Sequence, residues 1–270
     1  MYEIDEPQFS RITPLLQGVS TYLSLPAIVK GKSRGRIWVD DPLNPGTVLV
    51  WDLVNGFLFV LKRSKGYDIS EINYFLKDKL LLLARKSGYP KIYTIILSDI
   101  TEPQLNELVE GFSFTIDYIN HFQLNKNINE LPRAVPPSFQ LVKIDGEVLD
   151  NEKIANMKEV KRCINACWRN LEDYLKEGIG YCLLTGSTVV SWCSTDYVVS
   201  AKCDLYVETF NGYKQKRFGT AVSLACVKEC LNQNYEVNWH CWHSNTGSIR
   251  IAEKIGFFKK GTQRVQVITL

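Results

Sequence analysis

Three basic residues lie in a short segment that joins an apolar, strand-like stretch to a helix-like stretch in the C-terminal half of this chain. They are Lys214, Lys216 and Arg217, between a predicted strand that ends at Thr209 and a predicted helix that begins at Gly219. The unpaired N–H groups and the positive dipole end of a helix N-terminus favour an anion there. The segment therefore predicts a phosphate site, with a solvated cluster of surface charges as the alternative.

The cysteines do not have the spacing of a metal site. All eight lie in the second half of the chain, and two pairs, Cys163 with Cys167 and Cys226 with Cys230, have i,i+4 spacing. That spacing puts each pair on one helical face, where cysteine acts as a small apolar residue. Zinc sites more often show Cys-x2-Cys pairs. We therefore expect no metal, and reduced, mostly buried thiols.

The composition indicates a globular protein with two domains of ordinary size. The chain has 270 residues, of which 45% are hydrophobic and 23% charged, and a formal net charge of +3. This small charge argues against a nucleic-acid partner, which usually meets a concentrated basic face. The most apolar segment, 47–61, contains Asp52 and Asn55 and so does not predict a membrane span. With no secretory signal at the start, we expect a cytoplasmic protein.

Turn and cap signals divide the first half into elements. Asn55-Gly56 between two apolar runs predicts a β-hairpin. Asp68 predicts the start of a helix that ends at Gly88. A buried strand, a short helix from Thr101 and a half-exposed strand are expected to follow.

A polar segment with three prolines, 123–138, is the predicted linker. Domains are therefore expected at residues 1–132 and 138–270. The elements predicted for the second domain are, in order, a strand at 139–144, a helical region at 151–176, strands at 180–184, 188–200 and 202–209, a helix at 219–232, a strand at 237–242, a helix at 246–255 and a final strand pair.

This order of elements resembles the GNAT superfamily of acetyl-CoA-dependent N-acetyltransferases. The stretch LYVETFNGYKQKRFGTA, residues 205–221, resembles its cofactor-binding strand, loop and helix start. The stretch NTGSIRIAEKIGFFKKG, residues 245–261, matches its Asn-x-x-Ala/Ser and Glu-Lys-hydrophobic-Gly-Phe pattern. The stretch at 35–60, GRIWVDDPLNPGTVLVWDLVNGFLFV, looks like the N-terminal domain of a two-domain bacterial group that includes zwittermicin A resistance proteins.

The resemblance implies an α/β (α+β) fold, with a mixed, mostly antiparallel central sheet flanked by helices in the C-terminal domain. A smaller α/β domain precedes it, and the matching order of strands and helices suggests a degenerate copy of the same fold. The implied activity is direct transfer of an acetyl group from acetyl-CoA to the amine of a small molecule, such as an antibiotic or an amino-acid-like compound.

The resemblance also implies where the cosubstrate binds. In the superfamily the strand before the loop splays from its neighbour, and its freed backbone groups bond the pantetheine arm and the acetyl carbonyl. Carried over, these groups belong to Tyr206, Val207, Glu208 and Thr209. The residues implied for the loop, the following helix start and the next helix are Lys214, Gln215, Lys216, Arg217, Phe218, Gly219, Thr220, Asn245 and Ser248.

Two positions depart from the superfamily pattern. Arg217 stands where glycine is usual, and a forced positive φ there would cost about 1 to 3 kcal/mol. Ala252 stands where many members have a tyrosine that protonates the departing thiolate. Tyr206, Tyr213 or water are the alternative proton donors.

Glu208 is the first candidate for the base that accepts the amine proton, because it ends the strand that would hold the acetyl group. The alternative is a solvated carboxylate or one paired with a loop lysine. His240 and His243 are rival bases, although a histidine between tryptophans is more often a packed structural residue. The tryptophans are interpreted either as aromatic walls of an acceptor pocket or as core residues: Trp168, Trp239 and Trp242.

Other functions stay open at this point. The chain could be a catalytically inactive GNAT-fold protein that binds CoA as a sensor or has lost cofactor binding, for which Arg217 and Ala252 argue. A ping-pong route through a cysteine lacks a flanking base at the four candidate thiols, Cys182, Cys193, Cys203 and Cys241. The acceptor amine and the oligomeric state are also open, a homodimer included.

Overall fold

The computed structural model describes residues 1–17, 19, 22–62, 68–97, 101–124, 128 and 135–270. The chain forms two compact units, one made of Met1–Ile119 with Gln263–Leu270 and the other of Asn120–Thr262. The C-terminal residues thus belong to the first unit. These units are groups of spatial neighbours, so the predicted domains at 1–132 and 138–270 stay a prediction. Most of the predicted linker, residues 125–127 and 129–134, lies outside the described residues.

The first unit is a sheet with helices packed on it. Its strands are β1 (Tyr2–Ile4), β2 (Gly35–Val39), β3 (Thr47–Asp52), β4 (Phe57–Lys62), β5 (Lys91–Ile96) and the first part of β6 (Phe114–Leu124). Its helical segments are a 3-10 helix (Glu6–Leu16), α1 (Ser24–Val29), α2 (Ile69–Phe75), a π-helical turn (Leu76–Leu80), α3 (Leu81–Lys86) and α4 (Glu102–Leu108). Strands β1 to β5 are neighbours in chain order, antiparallel except for the parallel pair β4 and β5.

The predicted hairpin at Asn55-Gly56 is confirmed and joins β3 to β4. Gly56 has a φ of +72°, a left-handed conformation that glycine adopts without strain. The fully buried Asp52 carboxylate accepts the backbone N–H groups of Val54 and Asn55, which stabilises the turn. The predicted cap at Asp68 is also confirmed, since its side chain accepts the N–H of Ser70.

The second unit has the strand order β7-β8-β9-β10-β11. Its strands are β7 (Gln140–Lys143), β8 (Gly180–Thr185), β9 (Thr188–Val199), β10 (Lys202–Thr209), β11 (Glu236–Trp242) and the first part of β12 (Phe257–Thr269). Its helices are α5 (Gly146–Asp150), α6 (Met157–Cys167), α7 (Leu171–Glu177), α8 (Phe218–Asn232) and α9 (Thr246–Ile255). Pairs from β7 to β10 are antiparallel, and β10 pairs with β11 in parallel. The predicted fold class, a mixed and mostly antiparallel sheet flanked by helices, is confirmed.

Two predictions for this half were wrong in detail. The helical region expected over 151–176 is divided into α6 and α7, because Trp168 has an extended backbone and Asn170 caps a new helix. The final strand pair is one strand, β12, whose backbone continues through Gly261 without a positive φ.

The order of elements in the first unit repeats that of the second. A three-strand antiparallel meander, β2 to β4, is followed by helical segments, the parallel strand β5, the short helix α4 and β6. In the second unit the meander β8 to β10 is followed by α8, β11, α9 and β12 in the same way. This repetition supports the interpretation of the first unit as a copy of the same fold.

Candidate functional site

Strands β10 and β11 separate before either of them ends. Their parallel pairing covers Lys202–Asp204 with Glu236–Asn238. Beyond that point β10 continues for five residues to Thr209, and it stays paired with β9 on its other side through the pair Thr209 and Ser191. The strands therefore open into a fork whose mouth is formed by their carboxyl ends.

Strand alternation decides which backbone groups of β10 face this fork. Just past the strand, the N–H of Phe210 donates to the carbonyl of Val190, so this residue points its backbone groups toward the β9 side. Residues two positions apart share a direction in a strand. The N–H and C=O groups of Val207 and Thr209 therefore point the other way, into the fork, where they are available to a ligand.

Side-chain hydrogen bonds hold the end of β10 on β9. The Ser191 hydroxyl donates to the carbonyl of Glu208 at 2.9 Å and lies 2.8 Å from the hydroxyl of Thr209. The ring of Tyr206 packs on the buried ring of Trp192, with 5.1 Å between centroids. These contacts hold the end of β10 in place, although this part of the strand is not paired with β11.

A cleft of about 850 Å³ begins at this fork. It brings together most of the residues that the sequence predicted for cosubstrate binding or catalysis. The predicted residues that line it are Tyr206, Val207, Glu208, Thr209, Tyr213, Lys214, Gln215, Arg217, Phe218, Gly219, Thr220, Asn245 and Ser248. Among the predicted residues, Lys216, His240 and His243 do not line this cleft, and Lys216 instead lies over the ring of Tyr213.

The N-terminus of α8 forms one wall of the cleft. Arg217 is the N-cap residue, with φ 66° and ψ 10°, and no side chain caps the first turn. Gln215 also has a positive φ, of 64°. The left-handed conformation that the usual glycine would allow is thus present at Arg217, and the cost of a residue with a Cβ in it is about 1 to 2 kcal/mol.

Gly219 lets the first turn of α8 lie close to two neighbouring elements. A Cβ on this residue would lie 2.9 Å from Cδ1 of Ile251 on α9 and 3.2 Å from Oγ1 of Thr209 on β10. Both distances are shorter than an ordinary van der Waals contact. The close approach brings the N-terminus of α8 to the mouth of the fork, where its N–H groups and dipole favour an anion.

Asn245 and Ser248 begin α9 on the other wall. The Asn245 side chain accepts the backbone N–H of Ser248 at 3.0 Å and so caps the helix. The Ser248 hydroxyl accepts the indole N–H of Trp239 at 3.0 Å. The two residues therefore position α9 in addition to lining the cleft.

Tyr206 and Glu208 form a hydrogen-bonded pair on one face of β10. The Tyr206 hydroxyl donates to Oε2 of Glu208 at 2.6 Å. Burial raises the pKa of Tyr206, and the hydrogen bond to Glu208 raises it further, so the hydroxyl stays protonated at neutral pH. A carboxylate with one oxygen already bonded has its second oxygen available to accept a proton from a substrate.

His240 lies among other polar side chains and does not line the cleft. Its Nδ1 is 3.8 Å from Oδ2 of Asp204, and its ring meets that of His121 edge to face. Burial lowers the pKa of His240 to about 4, and burial together with the neighbouring His240 lowers that of His121 to about 3. Both rings are therefore neutral at pH 7. The remaining histidine, His243, lies 3.3 Å from the side-chain oxygen of Asn120.

The other predicted side chains are mostly structural. Trp168 and Trp239 are buried, as the core interpretation expected, whereas Trp242 is half-buried. All eight cysteines are free thiols, and none lines the cleft. Burial raises the pKa of Cys182 to about 12 and also raises that of Cys241. Among the described residues, no group of three or more His, Cys, Asp or Glu side chains is suited to a metal ion.

Four lining residues were not predicted from the sequence: Gly247, Arg250, Ile251 and Lys254. All are on α9, at spacings of three or four residues, which puts them on one side of the helix. Part of the signal was present in the sequence, because Ile251 follows Ser248 by three residues and Lys254 follows Ile251 by three. With Lys214 and Arg217, the cleft has four cationic side chains and one carboxylate, Glu208, a formal charge of +3.

A family model described as "GNAT acetyltransferase" matches residues 13–265. One curated relative, the uncharacterized N-acetyltransferase YdfB of Bacillus subtilis (strain 168), is 22% identical over 148 residues. That stretch is 50% of this chain and 55% of the relative, so the match spans about half of the curated protein.

Solved structures share the fold at low sequence identity. A GCN5-related N-acetyltransferase-like protein from Streptococcus suis has a TM-score of 0.67 at 19% identity, with 97% of this chain and 98% of that chain covered. A tandem GNAT protein from the clavulanic acid biosynthesis pathway has a TM-score of 0.61 at 14% identity, with 97% and 95% covered. A GCN5-related N-acetyltransferase from Sphaerobacter thermophilus has a TM-score of 0.60 at 10% identity, with 99% and 94% covered.

Proposed function

The chain belongs to the GNAT acetyltransferase family, and from that premise we propose that it transfers an acetyl group from acetyl-CoA directly to the amine of a small molecule. The observation that carries the proposal is the fork between β10 and β11, which opens into a cleft of positive charge. The backbone N–H and C=O groups in the fork can hydrogen-bond the pantetheine arm of the cosubstrate. The cleft supplies charge for phosphates.

The residues of the cleft suit coenzyme A from one end to the other. Val207 and Thr209 present N–H and C=O groups that can hydrogen-bond the amides of the pantetheine arm. The first turn of α8 has unpaired N–H groups for the pyrophosphate, and the cations Lys214 and Arg217 line the same wall. When bound, acetyl-CoA supplies an activated acetyl group as a thioester.

Glu208 is the proposed base. It lies next to Val207, whose backbone N–H faces the fork and can stabilise negative charge on the acetyl oxygen. Tyr206 holds one carboxylate oxygen of Glu208 and leaves the other to accept a proton from the amine. The roles of Tyr206 and Glu208 are therefore coupled, with Tyr206 as a positioning residue.

Direct transfer is preferred to a covalent route. A cysteine nucleophile must be present as a thiolate, and burial raises the pKa of Cys182 and Cys241. His240 is a weak candidate for the base, since a group with a pKa near 4 holds a proton poorly at pH 7. The eight free thiols are also consistent with the cytoplasm, the location we propose.

One observation favours a second candidate function, a CoA-binding protein without transferase activity. Ala252 stands at the position where related enzymes often have a tyrosine that acts as general acid. It is fully buried and has no hydroxyl. Water, Tyr206 or Tyr213 would have to protonate the departing thiolate in its place. A sensor that binds CoA needs no such group.

The test is release of the CoA thiol from acetyl-CoA, measured across a panel of primary amines that includes polyamines, amino acids and aminoglycosides. Wild-type protein is expected to release CoA with at least one amine, and Glu208→Gln to lower kcat by roughly 100-fold or more. Glu172→Gln, which removes an exposed carboxylate on α7, is the matched control. Binding of acetyl-CoA without release for any amine would favour the sensor, and no binding at millimolar acetyl-CoA would refute both.

A further inference from the structure

Alternation along β10 puts its last side chains on two opposite faces of the sheet. A Cβ on Gly219 would lie 3.7 Å from Cγ2 of Val207 and 3.2 Å from Oγ1 of Thr209, so these two side chains point toward α8. Tyr206 and Glu208 therefore point to the opposite face. A base on this face takes its proton from an amine that approaches from the side opposite to α8.

The same face continues along β10 to the point where the strand leaves β11. The register shift there adds Asp196 to β9 and leaves β10 regular, so Asp204 shares a face with Tyr206. His240 of β11 lies on this face too, with its Nδ1 3.8 Å from Oδ2 of Asp204. The side chains of Asp204 and His240 are 14% and 18% exposed, so both are within reach of a ligand. We call the surface formed by Asp204, Tyr206, Glu208 and His240 the acidic face.

Carboxylates dominate the charge of this surface. Besides Asp204 and Glu208, the carboxylate of Asp196 is close by. Burial raises the pKa of Tyr206, and the negative charges of Glu208 and Asp196 raise it further. Burial lowers the pKa of His240 to about 4, so its ring is neutral at pH 7. The three carboxylates therefore give this surface a formal charge of −3.

Helix α6 lies beside the acidic face and does not cancel its charge. Burial raises the pKa of Cys163 on α6 to about 11, and Glu208 is close enough to raise it further. The neighbouring cation, Arg162, is held by both carboxylate oxygens of Glu159, at 2.9 and 2.6 Å. Such a bidentate pair is neutral as a whole, so the negative charge of the acidic face remains.

The spacing of the carboxylates along β10 suits a long, linear cation. Asp204 and Glu208 are four residues apart on one strand, which corresponds to about 13 Å between their Cα atoms. This distance is comparable with the separation of the terminal amines in extended spermidine or 1,8-diaminooctane. An amine at Glu208 can therefore place a second ammonium group at Asp204, with the ring of Tyr206 beside the methylene groups between them.

We propose that the acceptor is a linear diamine or polyamine, with its reacting amine at Glu208 and a second ammonium group bound by Asp204. The cations of the cleft lie on α9 and around the start of α8, so the two sides of the fork attract substrates of opposite charge. Asp204 is thus a specificity-determining residue. The inference rests on the proposed function, because it names the class of acceptor for the same reaction.

The group transfer balances with these residues. The bound ammonium group loses one proton to Glu208, and the neutral nitrogen then bonds the acetyl carbon. The C–S bond breaks, and the second proton of the nitrogen leaves with the CoA thiol. The far ammonium group keeps its charge throughout, so its attraction to Asp204 is present before and after transfer.

The experiment compares three acceptors that share a primary amine on the same carbon chain: 1,8-diaminooctane, 8-amino-1-octanol and 8-aminooctanoic acid. Their far ends are positive, neutral and negative. Release of the CoA thiol gives kcat/KM for the wild type, Asp204→Asn and the control Glu172→Gln, which removes an exposed carboxylate on α7. The thermal midpoint of each variant establishes that it is folded, and calorimetry establishes that it binds acetyl-CoA.

Wild-type protein is expected to have a kcat/KM for the diamine at least about 10-fold above that for the amino alcohol, and to use the amino acid least. The two equivalent amines of the diamine account for only about 2-fold of this preference. Asp204→Asn should lower the preference by about 10-fold, chiefly through the KM of the diamine, with the KM for acetyl-CoA within about 2-fold. Glu172→Gln should keep the wild-type preference.

A wild-type preference for the amino alcohol or the amino acid would overturn this inference and leave the proposed acetyl transfer intact. An equal loss of kcat/KM for all three acceptors in Asp204→Asn would also overturn it, because the carboxylate would then act on the fold or on His240. If the wild type binds acetyl-CoA but releases CoA with no amine at all, the proposed transfer fails and the acceptor class fails with it.

Discussion

Replacing Gly219 with alanine tests the packing that holds the first turn of α8 at the mouth of the fork. The added Cβ would lie 2.9 Å from Cδ1 of Ile251 and 3.2 Å from Oγ1 of Thr209. Carbon atoms in contact prefer a separation of about 3.5 to 4.0 Å. Either Ile251 or the whole first turn must therefore move by about 0.6 Å or more.

Two opposing effects set the change in the free energy of unfolding. Alanine stabilises a helix relative to glycine by about 1 kcal/mol, whereas overpacking a close contact costs about 1 to 3 kcal/mol. We expect the clash to exceed the helix preference, so that Gly219→Ala lowers the free energy of unfolding by about 1 kcal/mol. The same displacement moves the N–H groups of α8, and the dissociation constant for acetyl-CoA should rise about 10-fold.

Gly247 provides a matched control, because it is the second residue of α9 as Gly219 is the second residue of α8. A Cβ on Gly247 would meet only the side-chain oxygen of Asn245, at an ordinary 3.6 Å. Gly247→Ala should therefore raise the free energy of unfolding by up to about 1 kcal/mol. The measurement is the urea midpoint of each variant at unchanged slope.

A second substitution identifies the contact responsible. Ile251→Val removes the Cδ1 atom that the new Cβ would meet, at a cost of about 0.5 kcal/mol or more by itself. The double variant should then be more stable than the sum of the two single effects predicts, by about 1 kcal/mol. Additive effects, or a Gly219→Ala variant as stable as Gly247→Ala, would refute the argument that close packing places α8.

Three further predictions concern single residues. Glycine and asparagine both suit a left-handed backbone, so neither Arg217→Gly nor Arg217→Asn should lower the thermal midpoint. Each variant should bind acetyl-CoA about 10-fold more weakly, because it lacks the guanidinium that contacts phosphate. Tighter binding would instead identify the Arg217 side chain as an obstruction. Tyr206→Phe should lower kcat by about 10-fold and change the KM for acetyl-CoA by less than about 2-fold. The reason is that it removes the hydrogen bond to Glu208 and leaves the N-terminus of α8 unchanged. A change confined to KM would contradict the positioning role of Tyr206. Burial lowers the pKa of His240 to about 4, so the unfolded chain binds the proton first, and this residue should lower stability by up to about 3 kcal/mol as pH drops from about 6.5 toward 4. His121, with a pKa of about 3, acts in the same direction over this range. A His240→Asn variant should therefore have a urea midpoint that depends less on pH, and an unchanged pH dependence would exclude His240 as a cause.

Local signals in the sequence predicted most of the elements that build the site. The bounds of β10, α8, β11 and α9 agree with the predictions within about one residue, because caps, turns and hydrophobic periodicity are properties of neighbouring residues. Asn245 is an example, since a capping side chain and its N–H partner are three residues apart. The two stretches that carried the family resemblance are also contiguous in the chain.

Local signals predicted less well the features that depend on residues far apart in the chain. The end of helix α6 and the single strand β12 were missed, because an apolar pattern alone does not distinguish a turn from a continuing element. His240 was a candidate base from its type and position in β11. Its neighbours, Asp204 and His121, come from two other strands, and none of the three residues lines the cleft.

The sequence by itself determined the kind of chemistry, which is anion binding next to a candidate base. The elements that indicate it are a strand with Glu208 near its end, a basic loop, a helix start without an acidic residue and a second, capped helix. Only the tertiary structure decided where β10 leaves β11, which helix face closes on the fork through Gly219, and that Arg250 and Lys254 join the loop cations. The physical reason is that residue types and their spacing set local backbone preference. The end of a strand pairing and the lining of a cleft depend on packing between segments far apart in the chain.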